Sequence, residues 1–123
     1  MFMRVLVTGS RGYIGNALTL ALKDTEDLIT VDALRRDDWV REVGGRSLTQ
    51  YETTIPDFKT DLSQYLPTKS LLKLVNPDVI VHLASQPSAP YSERSAYDAE
   101  MTQDGNIAML RNLLWASHAR AEL

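Results

Sequence analysis

Cysteine is absent from the 123 residues, which excludes disulfides, thiolate metal sites and cysteine nucleophiles. Histidine is nearly as scarce. His82 and His118 are the two present, and their separation makes no metal-ligand spacing. A strong charge excess is missing too: a net charge of −3 gives no reason to propose nucleic acid or a membrane surface as partner. No apolar run approaches the ~20 residues of a bilayer span. Internal repeats and low-complexity segments are likewise lacking. Met1-Phe2-Met3-Arg4 leads directly into an apolar run and leaves no room for a signal peptide, so a cytoplasmic location is expected. The remaining balance, 44% hydrophobic and 24% charged residues, is that of an ordinary soluble protein. The length suits one domain rather than two, so residues 1–123 are expected to form one domain.

Against these absences stands one dense segment, Val5-Leu6-Val7-Thr8-Gly9-Ser10-Arg11-Gly12-Tyr13-Ile14-Gly15. Its apolar start predicts a buried strand over Arg4–Thr8. Its glycines follow the spacing G-x-x-G-x-x-G. Ile14, Ala17, Leu18, Ala21 and Leu22 then recur at helical spacing, predicting a helix over Tyr13–Lys23. Strand, glycine turn and helix N-terminus together form an arrangement that cradles a dinucleotide pyrophosphate. Free N–H groups and the positive end of the helix dipole meet the phosphates there. In this reading Gly9 allows the tight turn, Gly12 the close approach of backbone to pyrophosphate, and Gly15 the packing of helix on strand.

The rest of the chain alternates strands and helices. Leu28–Val31 predicts strand two and Thr54–Thr60 a short third strand, placed at an edge because Pro56 removes a donor. Between them runs an irregular stretch with some helix expected around Asp38–Val43. Leu71, Leu72, Leu74 and Val75 predict one face of a helix that Asn76-Pro77 ends. Val79-Ile80-Val81 predicts a fourth strand buried on both faces. Met101, Ile107, Leu110, Leu113, Leu114 and Ala116-Ser117 mark a long last helix. This is an α/β pattern with a parallel sheet, expected in the Rossmann-type order 3-2-1-4 and stopping before a fifth strand. The fourth strand is then an edge, and an apolar edge invites self-association or pairing with a complementary chain.

Further residues fit the same ligand. Asp32, at the carboxyl end of strand two, stands where a carboxylate accepts hydrogen bonds from an adenosine ribose; its simpler role is a turn cap. Arg11, Arg35 and Arg36 could meet the extra phosphate of NADP, whereas the Asp32 carboxylate would repel it, so NAD is expected rather than NADP. Asp61 and Leu62 stand where a carboxylate and adjacent backbone would hold an adenine amino group, with a helix N-cap as the plainer role for Asp61. Leu83, Ala84 and Ser85 end strand four at the carboxyl edge of the sheet, and small Ala84 would let a cofactor lie flat. His82 reads as a packed strand residue. Asn106, polar among apolar neighbours, would hydrogen-bond a nearby loop. Trp39, Trp115 and the methionines read as packing, and Glu93, Arg94, Asp98 and Glu100 as a solvated surface.

These residues together resemble the extended short-chain dehydrogenase/reductase superfamily, the nucleotide-sugar epimerases and dehydratases. The carrying motifs are Thr8-Gly9-x-x-Gly12-Tyr13-Ile14-Gly15, Asp61-Leu62, His82-Leu83-Ala84 and Asn106 with Asn112-Leu113-Leu114. Within it, Val31-Asp32-Ala33-Leu34-Arg35-Arg36, Ser47-Leu48-Thr49 and Gln86-Pro87-Ser88-Ala89-Pro90-Tyr91-Ser92 are most similar to the UDP-sulfoquinovose synthase branch. The branch has arginine where this chain has Pro87, and asparagine where it has Ala33. The resemblance implies tightly held NAD, a UDP-sugar substrate and sulfite addition to a 4-keto-glucose-5-ene intermediate. It implies that Asp32, Ala33, Arg35 and Arg36 line the adenosine end and that Gln86 approaches the nicotinamide or the sugar. It further implies a catalytic Ser or Thr on a fifth strand and a Tyr-x-x-x-Lys pair on the next helix. Four residues beyond Tyr91 and Tyr97 stand Ser95 and Met101, so no catalytic residue is assigned. The expected function is the NAD-binding part of such an enzyme, with a non-catalytic NAD-binding sensor or regulatory module, one chain of a split enzyme and a folded relic as alternatives.

Overall fold

The computed structural model describes residues 3–34, 56–85 and 95–121. They form strand β1 (Arg4–Thr8), helix α1 (Tyr13–Leu22), strand β2 (Asp27–Asp32), strand β3 (Phe58–Lys59), helix α2 (Tyr65–Val75), strand β4 (Val79–His82) and helix α3 (Ala96–Ala121). The strands pair in parallel in the order β3-β2-β1-β4, the Rossmann-type order expected. Two compact units divide the chain. The first holds the residues up to Thr60 with Pro77–Leu83; the second holds Asp61–Asn76 with the residues from Ala84 onward.

In the first unit β1 is central, Val5 pairing with Leu28 on one side and Val79 on the other. Its apolar run is therefore enclosed, and Leu6 and Val7 are fully buried. An equally apolar run in β4 is not: Val79 is exposed, and Ile80 and Val81 are half-buried. The expected burial on both faces is corrected: β4 has a strand neighbour on one side alone among the described residues, and none of its residues is fully buried. β2 extends one residue beyond Leu28–Val31 at each end. β3 is shorter than Thr54–Thr60, pairing among the described residues at Phe58–Lys59. Pro56 offers no N–H, and Asp57 bonds through its side chain instead of the ladder. Its Oδ2 accepts the Thr30 N–H at 2.9 Å while Thr30 Oγ1 accepts the Asp57 N–H at 3.0 Å. The helix expected around Asp38–Val43 lies outside the described residues.

α1 starts at the expected residue, and Lys23 serves as its C-cap, donating to the Thr19 carbonyl at 3.1 Å. Its buried positions are Gly15 and Thr19, whereas Ile14 is 66% exposed. Apolar periodicity thus locates this helix but mistakes its inner face, which follows the glycine.

In the second unit α2 buries Thr68, Leu71, Leu72 and Val75. Leu74, one step round the helix, is exposed. Asn76 ends α2 in the left-handed region (φ 50°), its N–H reaching the Leu72 carbonyl at 2.8 Å, and Pro77 follows. α3 begins with Ser95 accepting the Asp98 N–H at 3.0 Å, a side-chain N-cap. It packs against α2 through a stripe that includes the buried Asn112, Leu113 and Ala116. Asp98 is also buried, which corrects its reading as solvated surface. Met101, Ile107, Leu110, Leu114 and Trp115 are exposed, so Trp115 is not core packing either; its ring meets His118 edge-on at 5.9 Å. Apolar residues on both sides of α3 gave the helix away without revealing which side faces inward. No helix of the described residues is long and apolar enough to cross a membrane.

Candidate nucleotide-binding site

The first unit builds a loop between β1 and α1 mainly from backbone contacts. Gly9 has φ +71°, a left-handed conformation that glycine enters without steric cost. Its N–H is held by the Val31 carbonyl at 3.0 Å, and its own carbonyl accepts the Gly12 N–H at 3.0 Å. Gly12 is the N-cap of α1 and supplies no side-chain cap; the first turn carries no acidic residue. The first helical bond, Asn16 N–H to the Gly12 carbonyl, follows at 2.9 Å. The positive end of α1 is therefore free of any competing side-chain oxygen from its own cap. Tyr13 and Ile14 stand exposed there, at 77% and 66%.

Close approach explains the other glycines. A Cβ on Gly15 would lie 2.0 Å from the Gly9 carbonyl oxygen and 3.0 Å from Ser10 Cα; one on Gly12 would lie 3.3 Å from the same oxygen. Ser10 is fully buried, and its hydroxyl is the buried side-chain oxygen without a hydrogen-bond partner among the described residues. A glycine cradle, an open helix N-terminus and a spare hydroxyl suit a group carrying several anionic oxygens, such as a pyrophosphate.

Asp32, at the end of β2, is tied to this loop. Its Oδ2 accepts the Arg11 N–H at 2.9 Å and its Oδ1 accepts the Leu34 N–H at 2.6 Å. It is thus a turn cap, while the carboxylate keeps lone pairs for further donors. Ala33 and Leu34 are half-buried. Arg35, Arg36 and Gln86 lie outside the described residues.

At the end of β4, Thr8 makes a contact that no motif announced. The Leu83 N–H donates to Thr8 Oγ1 at 3.0 Å and to the Thr8 carbonyl at 3.2 Å, and the same hydroxyl stands 2.7 Å from His82 Nδ1. Fully buried Thr8 therefore clasps the carboxyl ends of β1 and β4 beside Gly9. Burial pushes the His82 imidazole below its ordinary value near 6.5, favouring the neutral ring in the fold. The unfolded chain then takes up this proton first as pH falls. Stability from this group is complete above about pH 6.5 and is lost as pH falls through the lower folded value. His82→Gln is expected to flatten the fall in melting temperature between about pH 7 and 5. An unchanged slope in that variant would show that other groups carry it.

The second unit carries Asp61, Leu62, Ala84, Ser85 and Asn106. Asp61 Oδ1 accepts the Ser63 N–H at 3.0 Å and the Ser63 hydroxyl at 2.6 Å, and the N-cap of α2 is Gln64 instead. Leu62 is buried, and its carbonyl accepts Asn112 Nδ2 at 2.9 Å and Thr68 Oγ1 at 3.1 Å. Ala84 and Asn106 are half-buried and Ser85 is exposed. Asn112 is the polar residue most deeply used in α3. Sequence reading placed it in a family motif without assigning it this bond.

A model of the NAD dependent epimerase/dehydratase family matches residues 5–122. The UDP-sulfoquinovose synthase of Sulfolobus acidocaldarius is 34% identical over 105 residues, covering 73% of this chain and 27% of that protein. The chloroplastic UDP-sulfoquinovose synthase of Spinacia oleracea is 32% identical over 128 aligned residues, covering 92% of this chain and 27% of that protein. Among solved structures, the Thermus thermophilus UDP-glucose 4-epimerase in complex with NAD superposes with a TM-score of 0.69 at 26% identity, over 93% of this chain and 33% of that one. The chain spans 27% of the length of the curated relatives it matches.

Proposed function

The chain belongs to the NAD dependent epimerase/dehydratase family, and from that premise we propose that it binds NAD at the Gly9–Gly15 loop, as the nucleotide-binding part of a UDP-sulfoquinovose synthase-like enzyme. The observation that carries this is the loop itself: Gly15 lies so close to Gly9 that no side chain fits between, and α1 is left without a side-chain cap. Family membership and a structural relative in complex with NAD support a nicotinamide dinucleotide as the ligand. When bound, it would supply a hydride acceptor. The chain's own share is to hold it. The N–H groups of Tyr13 and Ile14 would meet the pyrophosphate and Asp32 the adenosine ribose.

The choice of NAD over NADP follows from charge. A 2′-phosphate placed about 4 Å from the Asp32 carboxylate is opposed by about 1 kcal/mol per unit charge in water and about 4 kcal/mol near a protein surface. Multiplied by the ~1.5–2 charges of a phosphate, even the smaller figure is about tenfold or more in affinity. The UDP-sugar and the chemistry on it belong in this reading to the intact enzyme, since the two synthases are much longer than this chain. In this reading a second chain would pair at the β4 edge, which the exposure of Val79 supports.

Calorimetric titration of the 123-residue chain with NAD and NADP in parallel tests the proposal. NAD is expected to bind at least about tenfold more tightly. A folded chain that binds neither nucleotide would refute cofactor binding by this chain, and tighter binding of NADP would refute the role given to Asp32.

A further inference from the structure

We propose that Asp32 is a latch that sets the conformation of the glycine loop before any nucleotide arrives, so that cofactor discrimination and loop shape depend on one carboxylate. The proposal rests on the preceding reading only for the identity of the nucleotide. Each oxygen of Asp32 holds a different stretch of backbone. Oδ2 takes the N–H of Arg11, inside the loop after β1 and 21 residues away; Oδ1 takes the N–H of Leu34, in the turn after β2.

Both stretches need holding. The loop contains Gly9 and Gly12, two of the residues that lose most backbone freedom on ordering, and the buried Ser10 hydroxyl between them has no hydrogen-bond partner among the described residues. Leu34 sits at φ +61°, a left-handed conformation that disfavours a residue with a Cβ. The bond from Leu34 N–H to the carboxylate two residues earlier is the kind of local turn that can hold it there. With two N–H groups accepted, the carboxylate still has lone pairs for ribose hydroxyls. Holding the loop and meeting the ribose are therefore compatible in one side chain.

A consequence for specificity follows. Removing the carboxylate would remove its repulsion of a 2′-phosphate, which taken alone should admit NADP. It would also release the loop that meets the pyrophosphate of either dinucleotide. Asp32→Ala is thus expected to weaken NAD binding by at least about tenfold, while NADP, relieved of the repulsion but denied the ordered loop, binds no more tightly than to the unaltered chain. Asp32→Asn retains one acceptor oxygen, so whichever way its amide turns, one of the two N–H groups faces a donor.

Amide hydrogen exchange on the nucleotide-free chain, followed by residue-resolved NMR, reads the latch directly. Exchange at both Arg11 and Leu34 should accelerate in Asp32→Ala and at one of them in Asp32→Asn, while the amides of Leu6 and Val7 in β1 keep their protection. A general loss of stability would instead accelerate all four. Unchanged exchange at Arg11 in both variants would overturn the proposal, as would tighter NADP binding by Asp32→Ala than by the unaltered chain. Should the alanine variant fail to fold, the asparagine variant decides. Because exchange is measured without nucleotide, failure of the unaltered chain to bind NAD would refute the proposed function and leave this outcome standing.

Discussion

Gly15→Ala is expected to destabilise the first unit by about 3 kcal/mol or more and to abolish nucleotide binding. The new Cβ would stand 2.0 Å from the Gly9 carbonyl oxygen and 2.8 Å from its carbon, where ordinary contact begins near 3.4 Å. Both opposing atoms are backbone, so no side-chain rotation relieves the clash. Either α1 retreats by roughly 1 Å or the loop opens. Each response displaces the N–H groups of Tyr13 and Ile14 at the start of α1. Gly12→Ala provides the contrast. Its Cβ would approach the same oxygen to 3.3 Å, and its backbone (φ −73°, ψ 171°) lies in a region that any residue adopts. Chemical unfolding of both variants, with NAD titration beside it, separates the two positions. A Gly15→Ala chain as stable as the original would mean that the close approach is not real.

Asn112→Ala is expected to destabilise the second unit by about 2–3 kcal/mol. Asn112 is 2% exposed, and its amide donates to the carbonyl of Leu62, 50 residues earlier, at 2.9 Å. The substitution removes a buried hydrogen bond and leaves a cavity between packed helices; the two costs add. Thr68→Val, which removes the second donor near that carbonyl at 3.1 Å, is the milder change at about 1 kcal/mol, because the Asn112 bond survives. Urea unfolding of the pair measures the difference. An Asn112→Ala chain within about 0.5 kcal/mol of the original would show that this amide does not anchor Leu62. The result bears on function, since Leu62 adjoins Asp61, which the sequence puts where a carboxylate would hold an adenine amino group.

Much of the fold was legible because local physics writes it into neighbouring residues. Val5-Leu6-Val7 closed by Gly9 bounded β1 to the residue. Asn76-Pro77 ended α2 where a left-handed residue and a ring without N–H must end a helix. Strand and helix alternation sufficed for the order β3-β2-β1-β4, since crossover handedness leaves few alternatives. The glycine spacing, likewise, located the loop where the backbone makes its closest approach.

Inner and outer faces were another matter. Ile14, Ile107 and Leu114 carry the periodicity of their helices and are exposed, while Gly15, Thr19 and Asn112 are buried. Periodicity reports that a face exists, not what lies opposite it. Thr8 with His82, Asp32 with Arg11 and Asn112 with Leu62 are bonds between residues 21 to 74 positions apart. Sequence by itself determined most of the described elements, their order and the position of the glycine loop, because each follows from backbone preferences within a few residues. Tertiary structure alone decided which polar groups are buried and what each one holds, because a hydrogen bond depends on distance in space, and that distance exists only once the chain has folded.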